Sequence, residues 1–313
     1  MNPIPPPFAI RMMPVFLVVL MWGCIVVGLT VHDPAPPKVV TQAPPQVKVA
    51  LTVPELPGGG TTLSPGRFFV AYYGLPGAPA LGVLGSGTPD RIWSRLMREA
   101  HAFAHPAIKV QPVFEVIATV ASSGPGPRGD FTSDIPNAVV RNYIRAAHRL
   151  GALVVLDVQP GRSNFNAVVR RWSWALEDPW VGLALDPEWR MGPGQFPGRV
   201  IGSVNGHEVD QVAAWLDAFI VAHRLPQKVF LVHQFIPSMI TDRVAIHGHP
   251  HLAMIQQADG FGTRREKLDS FHAIAYPARF IEGFKLFYTW DVGRMSARQV
   301  LAIRPRVGFV SFQ

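Results

Sequence analysis

Residues 152–186 read ALVVLDVQPGRSNFNAVVRRWSWALEDPWVGLALD. Two short apolar runs, 152–159 and 181–186, enclose a segment over about 164–176 whose pattern is helical. Strands that alternate with longer helical patterns are typical of βαβ units, in which both strands run parallel in one sheet. The two runs are almost continuously apolar, as expected for strands that are buried on both faces. This stretch therefore predicts a strand–helix–strand unit of a parallel sheet.

The same alternation continues on both sides of this unit. The predicted strands lie at 67–74, 113–120, 152–159, 181–186, 228–235, 252–259, 284–291 and 307–313. The predicted helices lie at about 89–104, 136–150, 164–176, 207–224, 237–246, 264–281 and 296–304. Eight such units in about 250 residues are typical of an α/β (β/α)8 TIM barrel, here without its last helix. An open doubly wound sheet is the alternative, but the glycine fingerprint of a dinucleotide-binding sheet does not follow the first strand.

The N-terminus predicts export. Residues 14–31, PVFLVVLMWGCIVVGLTV, carry no charge, and eighteen such residues are the lower end of a membrane-spanning helix. Arg11 before this run and Asp33 after it favour a cytoplasmic N-terminus. A cleaved signal peptide and a lipid-modified Cys24 are the alternatives. We therefore expect a single-pass protein of the cell membrane whose domain lies outside the cytoplasm, or alternatively a secreted protein.

Proline dominates the next segment. Residues 34–65 contain eight prolines and the run GGG, a composition typical of a semi-rigid spacer. The predicted organisation is thus a membrane anchor or signal segment over 1–33, a linker over 34–65 and a barrel over 66–313. The single cysteine of the sequence, Cys24, precedes the barrel. Disulfides and a cysteine nucleophile are therefore excluded from the barrel.

Several functional classes lack sequence support. The net charge of +8 favours anionic partners, but the basic residues are scattered rather than interleaved with aromatics, so we expect no nucleic-acid binding. Phosphate-binding loops, serine-hydrolase elbows and zinc-protease motifs do not occur. His247, His249 and His251 come just before the sixth strand, at the face of a barrel where catalysis is not expected. We therefore predict no metal site and no cofactor.

The C-terminal ends of barrel strands hold the active site, and here they carry carboxylates, amides and aromatics. Asp186 and Glu188 would face the same way if the fourth strand persists through both. Crowded carboxylates raise the proton affinity of at least one member, which suits acid/base catalysis. We assign Glu188 as general acid, Asp186 as its orienting or stabilising partner, and Asp157 as second carboxylate. The predicted substrate-binding residues are Tyr73, Gln159, Trp189, His233, Gln234, Asp259, Tyr288, Trp290 and Asp291.

The motif Asp186-Pro187-Glu188 at the end of the fourth strand resembles the D-x-E pair of some (β/α)8 glycoside hydrolases and related polysaccharide-cleaving barrels. The resemblance implies a glutamate acid, an orienting aspartate and a tyrosine from a later strand, which Glu188, Asp186 and Tyr288 match. The longer D-x-x-D-x-D-x-E form of chitinase-like barrels is absent. The chain is also similar to uncharacterised exported barrel proteins of actinobacteria, which implies a location rather than an activity.

These observations predict a membrane-tethered hydrolase that acts on envelope or extracellular carbohydrate, including anionic polymers. Two alternatives stay open. One is a barrel that binds a glycan or an envelope partner without cleaving it. The other is a hydrolase of a phosphorylated or otherwise anionic substrate, which would use the arginines of the rim loops as bidentate ligands.

Overall fold

Eight parallel strands form a closed barrel in the computed structural model, which describes residues 52–106 and 109–313. The strands are β1 (Arg67–Gly74), β2 (Lys109–Ala121), β3 (Leu153–Val158), β4 (Val181–Leu185), β5 (Lys228–Gln234), β6 (Leu252–Ala258), β7 (Ile281–Leu286) and β8 (Val307–Phe312). Each strand pairs with the next, and β1 also pairs with β8, which closes the sheet. The prediction of a (β/α)8 barrel is confirmed.

Helices connect most of the strands. They are α1 (Pro89–Ala102), α2 (Asn137–Leu150), α3 (Phe165–Val169), α4 (Ser173–Leu176), α5 (Gly206–His223), α6 (Arg264–Ile274) and α7 (Ala297–Leu301). Local sequence explains several of their starts. Pro89 occupies the first turn of α1, and Thr263 with Glu266 forms a capping box at α6.

The helix predicted over 237–246 is replaced by irregular structure. This connection consists of two 3-10 turns, Pro237–Met239 and Arg243–Ala245, with the two-residue strand Ile240–Thr241 between them. Asp242 has a φ of 49°, a left-handed conformation that interrupts a right-handed helix. The β-branched pair before it favours the extended pairing with Val204–Asn205.

The seventh strand is displaced from its predicted position. The sequence predicts a strand over 284–291, whereas β7 is Ile281–Leu286. The residues that follow it have high strand propensity, but the carboxylate of Asp291 accepts the backbone N–H of Phe287 at 3.0 Å, and the segment between them is a turn. The ionisable residue near the C-terminal end of β7 is therefore Lys285.

Alternate residues of the strands form two apolar cores. One core lies inside the barrel and includes Phe69, Val155, Leu231 and Phe309. The other includes the intervening strand residues and lies between the barrel and its helices. The alternation follows from the two-residue period of a strand and fixes which side chains reach the barrel interior.

The last residues of the predicted linker, 52–65, contact the N-terminal end of the barrel. Leu56 and Leu63 are 2% and 1% exposed and pack into the core inside the barrel. The side-chain oxygen of Gln227 accepts the backbone N–H of Leu63 at 2.7 Å. The guanidinium of Arg67 donates to two backbone carbonyls of the same segment. This segment therefore closes the barrel at the end from which its strands start.

The Leu63→Ala variant should be destabilised by about 2–5 kcal/mol, because it removes a buried side chain and leaves a cavity. Urea unfolding of the full chain measures the change. The matched control is Val53→Ala, since Val53 is 39% exposed and its truncation should change the free energy of unfolding by less than about 0.5 kcal/mol. Equal effects of the two substitutions would contradict the role of the segment as part of the core.

The predicted membrane anchor, residues 14–31, lies outside the described residues. Across 52–106 and 109–313, no helix combines the length and the hydropathy that are needed to cross a membrane.

Candidate active site

The barrel interior changes from apolar to polar toward the C-terminal ends of the strands. Along β3, for example, the inward-facing series runs from Val155 to Asp157, and along β5 from Leu231 to His233. Nearly all of the resulting side chains are shielded from solvent. The buried polar residues of this region are Tyr73, Glu115, Asp157, Asp186, His233, Gln257, Lys285 and Ser311.

His233 and Lys285 share one carboxylate at this end of the barrel. The Nδ1 atom of His233 lies 2.7 Å from Oδ2 of Asp259, and Nζ of Lys285 lies 2.9 Å from the same oxygen. Burial alone would raise the pKa of Asp259, but the two cations outweigh it and lower the pKa below its ordinary value. Burial likewise opposes the charged form of His233, yet Asp259 holds its pKa well above the ordinary value. The centre is therefore an ionised carboxylate between an imidazolium and an ammonium.

The other nitrogen of His233 faces two further carboxyl groups. Its Nε2 atom lies 3.2 Å from Oε1 of Glu115 and 3.7 Å from Oδ1 of Asp157, although neither contact has hydrogen-bond geometry. The hydroxyl of Ser311 donates to Glu115 at 2.7 Å, and that of Tyr73 donates to Asp157 at 2.9 Å. Burial, together with the charge of Glu115, raises the pKa of Asp157 to about 6 against the opposing effect of His233. Asp157 thus carries a proton under mildly acidic conditions.

Asp186 and Glu188 are brought together by a turn rather than by strand alternation. The strand β4 ends at Leu185, and Pro187–Trp189 forms a 3-10 turn whose N-terminus Asp186 caps. Oδ1 of Asp186 accepts the backbone N–H of Glu188 at 3.2 Å. Asp186 is 4% exposed, whereas Glu188 is half-buried. The second acid of the motif is therefore the one that a molecule at the barrel mouth can reach.

The pKa values of these two acids are raised. Burial is the largest cause for each, followed by the charge of Asp157 for Asp186 and by the charge of Asp259 for Glu188. Glu188, whose pKa is raised, therefore interacts electrostatically with Asp259, whose pKa is lowered. Pairs of acids whose environments shift their pKa values in opposite directions are characteristic of acid/base sites.

Six of the predicted site residues belong to this region, namely Tyr73, Asp157, Asp186, Glu188, His233 and Asp259. Two of the other predicted residues form hydrogen bonds to backbone groups. Oε1 of Gln159 accepts the N–H of Ala121 at 3.0 Å, and the amide nitrogen of Gln234 donates to the carbonyl of Ile236 at 3.1 Å. Trp189 is half-buried in the turn after β4.

The three predicted residues of the β7–α7 loop have different surroundings. The hydroxyl of Tyr288 donates to Glu99 at 2.6 Å and lies 2.9 Å from the Tyr72 hydroxyl, so it pairs with α1 and with the outer face of β1. Asp291 forms a buried ion pair with Lys267 at 2.9 Å. Trp290 exposes 56% of its surface. The loop therefore contributes an exposed ring and two anchoring side chains.

Glu115, Lys285, Gln257 and Ser311 complete the region and were not among the predicted site residues. The signal for two of them is present in the sequence, because a single charge inside an otherwise apolar run marks a buried ionisable group. The register places Tyr73 beside Glu115 and Lys285 beside Ser311. Within the described ranges, no group of three or more His, Cys, Asp or Glu side chains is arranged to hold a metal ion.

The fold and this region define a (β/α)8 barrel with a carboxylate-rich site at the C-terminal ends of its strands. No family model matches the chain, and no curated protein does. Among solved structures, it is similar to the dihydropteroate synthase of Xanthomonas albilineans with 4-aminobenzoic acid, at 12% identity and a TM-score of 0.33 over 79% of this chain and 87% of that chain. A likeness this distant carries no argument about activity.

Proposed function

We propose that the chain is a hydrolase that cleaves glycosidic bonds in a carbohydrate polymer. The observation that carries the proposal is the opposite direction of two pKa shifts at the barrel mouth: the pKa of the half-buried Glu188 is raised, partly by the charge of Asp259, and the pKa of Asp259 is lowered. Glycoside hydrolysis requires one protonated acid for the leaving oxygen and one carboxylate for the developing positive charge or for water.

In this proposal Glu188 donates its proton to the glycosidic oxygen. Asp259 replaces Asp157 as the second carboxylate, because the Asp259 side chain is 14% exposed, whereas Asp157 is fully buried and accepts the hydroxyl of Tyr73. His233 and Lys285 keep Asp259 ionised. Asp186 positions Glu188 by accepting the backbone N–H of Glu188.

The pH dependence of kcat/KM should be bell-shaped. Glu188 acts when protonated, so activity should fall as the pH rises through its pKa, which is raised above 4.5. Asp259 acts when ionised, so activity should fall only as the pH drops through its pKa, which is lowered below 3.8. The release of reducing ends from peptidoglycan, chitin, cellulose and xylan by the full chain measures the profile. The absence of release from all four polymers would contradict the proposed function.

A barrel that binds carbohydrate without cleaving it is the second candidate. It is favoured by the mutual pairing of Asp259, His233 and Lys285, which occupies one oxygen of the carboxylate that hydrolysis needs. Retention on a polymer without the release of reducing ends would select this candidate.

The location of the protein is also part of the proposal. An uncharged segment over 14–31 and the proline-rich stretch after it support a domain that is tethered outside the cytoplasm, where envelope polymers are accessible. Protease digestion of intact spheroplasts that contain the full chain tests this location, since only an external domain should be degraded.

A further inference from the structure

We propose that Phe261 and Trp290 form an aromatic platform that binds a ring of a β-linked pyranose polymer beside Asp259. The choice of a sugar ring as the occupant rests on the proposed function. The platform itself rests on the exposure of the two rings, on their rigid support and on their continuity with the candidate site.

The two rings are exposed and ordered against each other. Phe261 and Trp290 each expose 56% of their surface, and their centroids lie 5.3 Å apart at an interplanar angle of 79°. Trp290 lies nearly parallel to the buried Phe287, with an interplanar angle of 11° and centroids 6.3 Å apart. The indole is therefore held against two neighbouring rings, while more than half of its surface stays in solvent.

A buried ion pair supports the two loops that carry these rings. Nζ of Lys267 lies 2.9 Å from Oδ1 of Asp291, and the two side chains are 2% and 1% exposed. The same ammonium donates to the carbonyl of Gly260 at 2.7 Å, next to Phe261. The backbone N–H of Gly262 donates to the carbonyl of Trp290 at 3.2 Å. The loops after β6 and β7 are thus fastened to each other on both sides of the platform.

This support has a physical consequence for binding. Burying two charges carries a desolvation penalty, and a buried pair is weak evidence for a purely stabilising role. Here the pair fixes the backbone around two rings that remain in solvent. A side chain that is ordered before binding loses less conformational freedom when a ligand arrives, so the free energy of contact is retained as affinity.

The platform is continuous with the candidate site. Phe261 follows Asp259 by two residues, and Lys267 also donates to the carbonyl of Lys285, whose ammonium binds Asp259. The same backbone therefore positions the rings and the ionised carboxylate. The C–H face of a pyranose ring complements an aromatic face, and in β-linked polymers successive rings present such faces along the chain.

The test measures binding in the Glu188→Gln background, where turnover does not remove the polymer. Retention on insoluble chitin, cellulose and peptidoglycan is compared with and without Trp290→Ala. We expect the substitution to weaken retention about tenfold, and Trp290→Phe to restore most of it. Trp215→Ala is the matched control, because Trp215 is a half-buried aromatic on α5, outside this loop cluster, and should leave retention unchanged.

The outcomes separate this proposal from the proposed function. If retention depends on Trp290 but the unsubstituted chain releases no reducing ends, the platform is supported and the proposed hydrolase function is excluded. If the chain hydrolyses a polymer and Trp290→Ala leaves KM unchanged, the platform is overturned and the proposed hydrolase function stands. Equal losses with Trp215→Ala, or no retention on any of the three polymers, also overturn the platform. Binding to phospholipid vesicles alone that depends on Trp290 would assign the rings to a lipid surface and overturn the sugar-ring proposal.

Discussion

The Glu188→Gln variant is expected to lose polymer hydrolysis by about 10²- to 10⁴-fold, the range associated with a general acid or base. The amide has nearly the same shape as the carboxyl group, but it has no acidic proton to give to the leaving oxygen. The loss should fall on kcat rather than on KM, because the proton transfer occurs only in the transition state. Initial rates of reducing-end release at several polymer concentrations separate the two parameters.

The matched control is Glu177→Gln, at an exposed position after α4 near the opposite end of the barrel. It changes the same functional group and the same formal charge, and it should leave kcat and KM unchanged. Urea unfolding of both variants should show changes below about 0.5 kcal/mol, since neither substitution leaves a cavity. Full activity of Glu188→Gln would rule out Glu188 as the acid.

The Asp259→Asn variant is expected to be less stable by about 3–5 kcal/mol, because it removes the carboxylate that the buried cations His233 and Lys285 contact at 2.7 Å and 2.9 Å. The folded-state pKa of Asp259 is lowered, so its contribution to stability is present above the unfolded value near 3.8 and is lost as the pH falls through the folded value. The difference between variant and unsubstituted chain should therefore be larger at neutral than at strongly acidic pH. Urea unfolding at several pH values measures it.

Two further variants test the cause of that loss. Adding Lys285→Met to Asp259→Asn removes one of the two cations that have lost this partner and should recover about 0.5–3 kcal/mol, the usual coupling between contacting residues. Asp269→Asn is the control, because Asp269 pairs with Arg265 at 3.7 Å on the surface and exposes 70% of its side chain. An exposed pair contributes at most about 1 kcal/mol. If Asp259→Asn cost no more than this control, the buried charge centre would be disproved.

The strand pattern could be predicted from the sequence because buried parallel strands are apolar and short, and each of the eight predicted runs overlaps a strand of the barrel. The failures occurred where tertiary contacts decide the conformation. The prediction of a strand over 284–291 is wrong because the carboxylate of Asp291 accepts the backbone N–H of Phe287 and holds the aromatic residues between them in a turn. For the same reason Lys285 is not among the predicted site residues. It lies near the start of the predicted strand, whereas in the structure it lies near the C-terminal end of β7.

The composition of the candidate site was partly predictable for a related reason. Acids at strand ends, such as Asp157, Asp186 and Asp259, are visible in the sequence because they terminate apolar runs. Which acid is ionised was not visible, because it depends on the two cations that reach Asp259 from β5 and β7. The role of Asp291 depends in the same way on Lys267, a partner from a different loop.

The closed N-terminal end of the barrel has a mechanical consequence. A pull that travels along the chain from its N-terminal side reaches Leu56 and Leu63 first, and their burial with the Gln227 contact resists it. The load is thus carried at the end of the barrel where the strands start. The loops that hold Glu188 and Trp290 stand at the other end, so a pull from the N-terminal side would reach them only through the barrel.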